Sequence, residues 1–226
     1  MKIIVANWKM NGDLRFVDKF IEEINSIKSK NIVVVCPQTA LIGRFYNFHY
    51  HLGAQNCFCV ENGAFTGENS PKLLKQMGCK YVIIGHSERR MIFNEQDDLI
   101  FQKWKVATDQ KLIPIVCIGE TLENRNNWKK VISKQLNLFL DKPLGNTIFA
   151  YEPIWSIGTG IIPADNEIIS AFEFIKDLLG QRIPLLYGGS VDSKNARSIL
   201  SFNNIDGLLI GRASLKISEF KKIIQI

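Results

Sequence analysis

The stretch Ile3-Ile4-Val5-Ala6-Asn7-Trp8-Lys9-Met10-Asn11-Gly12 decides the fold. An apolar, β-branched run over Ile3–Trp8 predicts a first strand that enters directly from the start of the chain. A doubly wound open sheet follows its first strand with a turn of the G-x-G-x-x-G kind, whose glycines let the backbone meet a pyrophosphate. Here the strand runs into Asn7, Lys9 and Asn11, with a single glycine at Gly12. The glycines suited to a phosphate come late, in Gly188-Gly189-Ser190-Val191 and Gly211-Arg212-Ala213-Ser214. An eight-fold barrel places its phosphate site after strands seven and eight.

Working outward, seven further strand-like runs follow: Ile32–Cys36, Leu52–Asn56, Tyr81–Ile84, Ile113–Ile118, Thr147–Tyr151, Leu185–Tyr187 and Gly207–Ile210. Amphipathic stretches at Leu14–Ser29, Asp97–Asp109, Trp128–Leu140, Ile168–Leu179, Ala196–Ser201 and Ser218–Ile224 read as helices between them, with short ones at Leu41–Asn47 and Pro71–Met77. Strands alternating with helices predict parallel βα units. The expected fold is therefore α/β, a (β/α)8 TIM barrel forming a single domain over residues 1–226. No Pro/Gly/Ser linker divides the chain, and 226 residues suit one large core better than two.

The formal net charge of +6 is spread along the chain without a basic cluster. That argues against nucleic acid or membrane as partner and suits a small anionic substrate. Five cysteines make an odd set. Cys57 and Cys59 are too close for ordinary metal-ligand spacing, and most of the others sit in apolar runs. Reduced thiols, the lack of a signal peptide and the lack of a membrane-length apolar stretch predict a cytoplasmic protein.

The polar residues that stand out fall at the ends of predicted strands: Asn7 and Lys9 after the first, Gly85-His86-Ser87-Glu88-Arg89-Arg90 after the fourth, Glu152 after the sixth. In a barrel those ends share one rim, the rim that carries active sites. Each residue alone has a bland explanation; together they are complementary. Isomerising a carbonyl beside a carbinol needs a carboxylate to move a proton between carbons. It needs a neutral donor for the developing oxyanion and a fixed cation. Glu152, His86 and Lys9 supply one each. With no metal cluster or nicotinamide fingerprint, the chemistry is expected to need no cofactor. Pro153-Ile154-Trp155, stiff, and Ser156-Ile157-Gly158-Thr159-Gly160, small, read as a lid that would keep water from an intermediate able to expel its phosphate.

At these residues the chain resembles the triosephosphate isomerase family. The likeness is carried by Asn7 to Gly12, Gly53 to Asn56, Gly63 to Glu68, Ile84 to Arg90, Cys117 to Thr121, Ala150 to Gly160 and Tyr187 to Val191. The resemblance implies an aldose–ketose isomerase, an intramolecular oxidoreductase of glycolysis and gluconeogenesis. It would interconvert dihydroxyacetone phosphate and D-glyceraldehyde 3-phosphate through an enediol(ate). It implies Glu152 as base, His86 as electrophile, Asn7 and Lys9 in the substrate pocket, and Glu88 paired with Lys9. Ser87 and Thr66 would support the site. Gly158, Ser190, Gly211 and Arg212 would offer backbone donors to phosphate. That this family's histidine works as a neutral imidazole is a worked case for the family itself and comes with the resemblance. The family is usually a homodimer, here through the loop around Gln55–Glu68. That loop would bring Thr66 near the partner subunit's Asn7, and Arg89 would face Glu68 of the other chain.

The chain departs from that family at Arg212, where a second glycine is usual, and at Ile161-Ile162-Pro163, where Lys-Thr-Ala-like residues are usual. Ser156 stands where alanine is common, and the chain is trimmed around the second and fifth helices. None of these removes a reacting group. Two other readings stay open: a barrel enzyme acting on a longer sugar phosphate, and a barrel that has become a binding scaffold.

Overall fold

The computed structural model describes residues 1–157 and 161–226. The strands are β1 (Ile3–Asn7), β2 (Ile32–Cys36), β3 (His51–Ala54), β4 (Cys79–Ile84), β5 (Ile113–Ile118), β6 (Ile148–Tyr151), β7 (Leu185–Tyr187) and β8 (Gly207–Ile210). They form a closed barrel in sequence order. All pairs are parallel, and β8 closes on β1 with Ile3 opposite Gly207 and Ala6 opposite Ile210. The helices are α1 (Leu14–Asn25), α2 (Pro71–Gln76), α3 (Ser87–Ile92), α4 (Asp97–Asp109), α5 (Trp128–Leu136), α6 (Asp165–Leu179), α7 (Ala196–Leu200) and α8 (Ile217–Ile224). The chain is thus the (β/α)8 barrel that its alternation predicts.

Parallel strands covered on both faces must be apolar on both. Val5, Val34, Ile83, Ile115, Leu186 and Leu209 fill the barrel interior, while the alternate residues Ile4, Val33, Val35, Val82 and Leu208 pack outward under the helices. Towards the C-terminal ends of the strands the interior residues are the smaller Cys36, Cys117 and Ala150. The thiols of Cys36, Cys57, Cys79 and Cys117 are buried and all five cysteines are free. Among the described residues no helix is long and apolar enough to cross a membrane.

Several boundaries differ from the periodicity. α1 stops at Asn25 because that side chain turns away to donate to Asn47 O and accept from His49 N–H, ending the amphipathic face early. α5 stops at Leu136 rather than Leu140, in turns that precede Pro143, and the residue before a proline is kept out of the helical region. The second helix is reduced to a 3₁₀ turn, Thr39–Arg44. Three elements carry too few residues to show a period: α3, which reads in sequence as a polar strand end, and the 3₁₀ turns Leu122–Asn127 and Arg212–Leu215.

The N-terminal end of the barrel is tied by charge. Lys176 of α6 donates to Gln181 O (3.2 Å), Ile183 O (2.7 Å) and Asp206 Oδ2 (2.7 Å). Asp206 Oδ2 also accepts from Leu185 N–H at 2.8 Å, which joins α6, β7 and β8.

Candidate active site

At the other end of the strands lies a cavity of about 590 Å³. Asn7, Lys9, His86, Glu152, Ser190, Gly211 and Arg212 all line it, from β1, β4, β6, β7 and β8. Ser87 and Glu88 stand behind it. Thr66 is exposed on its loop and lines no part of the cavity. Gly158 lies outside the described residues, as does most of the glycine-rich half of the proposed lid.

Lys9 is one of the few non-glycine residues with positive φ, at 53°. Such a backbone costs about 1–3 kcal/mol and persists only where its surroundings impose it. Two side chains do so. Asn7 Oδ1 accepts from Lys9 N–H at 3.0 Å, and Gln55 Nε2 donates to Lys9 O at 2.8 Å and to Cys36 O at 2.9 Å. The ammonium then reaches Glu88 Oε1 at 2.6 Å.

His86 caps α3, and its Nδ1 accepts from Glu88 N–H at 3.2 Å. Glu88 Oε2 stands 3.6 Å from that nitrogen, outside hydrogen-bond reach. A ring nitrogen that accepts carries no proton, so the hydrogen-bond network assigns a neutral imidazole with its N–H on Nε2. Nε2 lies 3.1 Å from Glu152 Oε1.

Glu152 is 2% exposed. Its Oε2 accepts from Ser87 N–H at 2.9 Å. Two glycines make room for it. A Cβ on Gly119 would fall 1.7 Å from Glu152 O, and one on Gly188 would fall 3.0 Å from Glu152 Cγ. Gly119 is itself gripped by Gln135 of α5, which accepts from its N–H (2.8 Å) and donates to its carbonyl (2.9 Å). Below the carboxylate, burial first and the charge of Glu152 second hold the Cys117 thiol well above its ordinary range. It therefore stays a neutral neighbour.

The segment after Glu152 is held by a second buried carboxylate. Glu120 Oε1 accepts from Trp155 Nε1 (2.9 Å) and Tyr151 OH (3.1 Å), and Glu120 O accepts from Ile154 N–H (3.1 Å). Burial raises the Glu120 carboxyl above its ordinary value, against those donors. Ser190 Oγ donates to Ser156 O at 2.6 Å. Sequence reasoning assigned no role to Gln55, Gly119, Glu120 or Gln135. Gly119-Glu120 follows β5 directly, so the strand-end criterion applied to β1, β4 and β6 would have found it.

Arg212 needs no left-handed backbone, since it is absent from the positive-φ residues. Its side chain is exposed at the cavity edge. Among the described residues the amides of Gly189 and Gly211 meet no hydrogen-bond acceptor. Arg89, expected to face another chain, has its Nε on Glu95 Oε1 of its own chain at 2.5 Å.

A family model described as triosephosphate isomerase matches residues 2–226. A triosephosphate isomerase of Buchnera aphidicola subsp. Schizaphis graminum is 42% identical over 246 aligned residues, which cover 100% of this chain and 97% of that protein. One from Francisella philomiragia is 40% identical over 242, covering 99% and 96%. The chain belongs to the triosephosphate isomerase family.

Proposed function

We propose that this protein interconverts dihydroxyacetone phosphate and D-glyceraldehyde 3-phosphate, with Glu152 as base, His86 as neutral electrophile and Lys9 as fixed cation. The observation that carries the reading is the contact between Glu152 Oε1 and His86 Nε2, 3.1 Å apart beyond the ends of β6 and β4 at the wall of one cavity. A substrate carbonyl entering there takes over the Nε2–H, and Glu152 leaves Ser87 N–H to reach the adjacent carbon. The carboxylate removes a proton from C1 of the ketose. The C–H electrons form the C1–C2 double bond, and charge collects on O2, which His86 and Lys9 hold. Return of the proton to C2, with a proton shift between the two oxygens, gives the aldehyde. The Gly189 and Gly211 amides are suited to the phosphate oxygens. The Arg212 amide and Ser190 adjoin them. In water the intermediate would lose phosphate, so the segment after Glu152 has a chemical reason to cover it.

The homodimer belongs to this reading. Lys103 Nζ joins Asn56 Oδ1 (2.9 Å) to Glu95 Oε1 (2.5 Å), and Arg89 pairs with the same oxygen while lying over Phe93. The base of the 55–68 loop and the 91–93 segment are thus neighbours. Phe65, Met91, Ile92 and Phe93, and Met10 beside the site, are exposed. Exposed apolar side chains on these loops suit burial against a second copy. The cytoplasm is the compartment this function and these free thiols suit.

A coupled assay following glyceraldehyde 3-phosphate made from dihydroxyacetone phosphate tests the function. Turnover confined to longer sugar phosphates would overturn it. Sedimentation tests the assembly; a fully active monomer at micromolar concentration would refute the dimer.

A further inference from the structure

Arg125 touches no reacting group, yet three pieces of the rim converge on it. It lies in the 3₁₀ turn that follows β5. Its guanidinium carbon stands 4.0 Å from the centroid of the Trp155 ring, within cation–π range. The same guanidinium donates to Glu167 Oε1 in the first turn of α6. Glu167 uses its other oxygen to accept from Ala164 N–H at 2.9 Å, fixing the residue where α6 begins. The Arg125 hydrogen bond is the first cause that holds the Glu167 carboxyl below its ordinary value. On the opposite side, the indole N–H of Trp155 is taken by Glu120 at 2.9 Å. The ring is therefore held at its edge by a carboxylate and across its face by a cation.

We propose that Arg125 is a positioning residue for Glu152, tying Trp155, three residues beyond the base, to the start of α6. The proposal rests on the reading of Glu152 as base. A planar guanidinium can stack on an indole and fork to a carboxylate together; an ammonium can do only the second well. The Arg125–Glu167 pair is 41% and 39% exposed at its two side chains. Exposed pairs contribute little to stability. The consequence of the contact is therefore expected in geometry, in how tightly Pro153–Ser156 is held, rather than in the melting temperature. Sub-ångström errors near a reacting atom are costly to rate.

The test uses the full chain with Arg125→Met, Arg125→Lys and Glu167→Gln. Four quantities are read: kcat, KM, phosphate released per turnover by elimination, and acrylamide quenching of Trp155 emission, assigned against Trp155→Phe. Arg125→Met should lower kcat by roughly ten- to a hundredfold with KM moved less, as displacement of a catalytic group does. It should also raise the share of phosphate eliminated and expose Trp155 to quencher, at an unchanged melting temperature. Arg125→Lys should recover only part of kcat, and Glu167→Gln should show the same defects more weakly. Unaltered kcat and elimination in Arg125→Met, with an active wild type, would overturn this role alone. So would a loss of kcat that tracks a loss of melting temperature across the three variants. A wild-type chain inactive on triose phosphates would overturn the reading of Glu152, and this role with it. Retained wild-type turnover in Glu152→Gln would do the same.

Discussion

Lys9 and Lys176 are both drawn onto a rim of the barrel, at opposite ends. Lys176 spends its three ammonium donors on Gln181 O, Ile183 O and Asp206 Oδ2, and is almost fully buried. Lys9 sits on a strained backbone, meets one carboxylate, Glu88, and lines an open cavity. An ammonium has three donors, so two remain for a ligand. Lys176 exhausts its hydrogen bonds within the fold; Lys9 is positioned by its neighbours and keeps donors for the role of fixed cation proposed for it. The two carboxylates differ in what holds them: Glu120 Oε1 takes two side-chain donors that no substrate would displace, whereas Glu152 meets one backbone N–H and the imidazole of His86 at the cavity wall.

The largest expected effects lie at the open end. Glu152→Gln keeps shape and removes basicity, and should cut kcat by about 10²–10⁴-fold. Near-normal turnover in pure protein would break the assignment. Lys9→Met should cost roughly 10²–10³ in kcat, as loss of a donor at a developing oxyanion does. Methionine inherits the same positive φ and the same Asn7 and Gln55 supports, so circular dichroism should remain native. If Lys9→Met unfolds the chain, the contrast with Lys176 fails.

At the closed end the sign reverses. Asp206→Asn removes the charge facing Lys176 and weakens the acceptor for Leu185 N–H. It should lower stability by about 1–3 kcal/mol in urea titrations, with kcat unchanged. A change in kcat at equal folded fraction would show that the two rims are coupled. The smallest effect concerns Arg212. If the proposed phosphate contact there is made by the backbone amide, any residue except proline keeps it. Arg212→Gly should weaken binding of a phosphate-bearing inhibitor by less than about tenfold, or 1.4 kcal/mol, at low and high salt alike. A larger loss, relieved by salt, would make the guanidinium a main ligand.

Much of this was legible in the chain. Strand ends at Asn7, Ile84 and Tyr151 can be read from apolar runs that stop at polar residues, because a strand buried on both faces cannot continue through them. Eight such runs with helices between leave few topologies. Asn7, Lys9, His86, Ser87, Glu88 and Glu152 stand out because they break those runs. Gln135, in the last turn of α5, and Arg125, in a turn of six residues, carry no such signal; their partners lie 16 and 42 residues away.

By itself the sequence determined the barrel, the order of its strands and which residue types meet at the rim. Those follow from period and composition, which are local properties. Only the tertiary structure decided which nitrogen of His86 carries the proton, since that depends on where Glu88 N–H points. It also decided that Gly119 must be glycine, because the clash is with the carbonyl of Glu152, just beyond the end of the neighbouring strand β6. Pairings between distant segments depend on the distances that barrel closure imposes, and no local pattern encodes them.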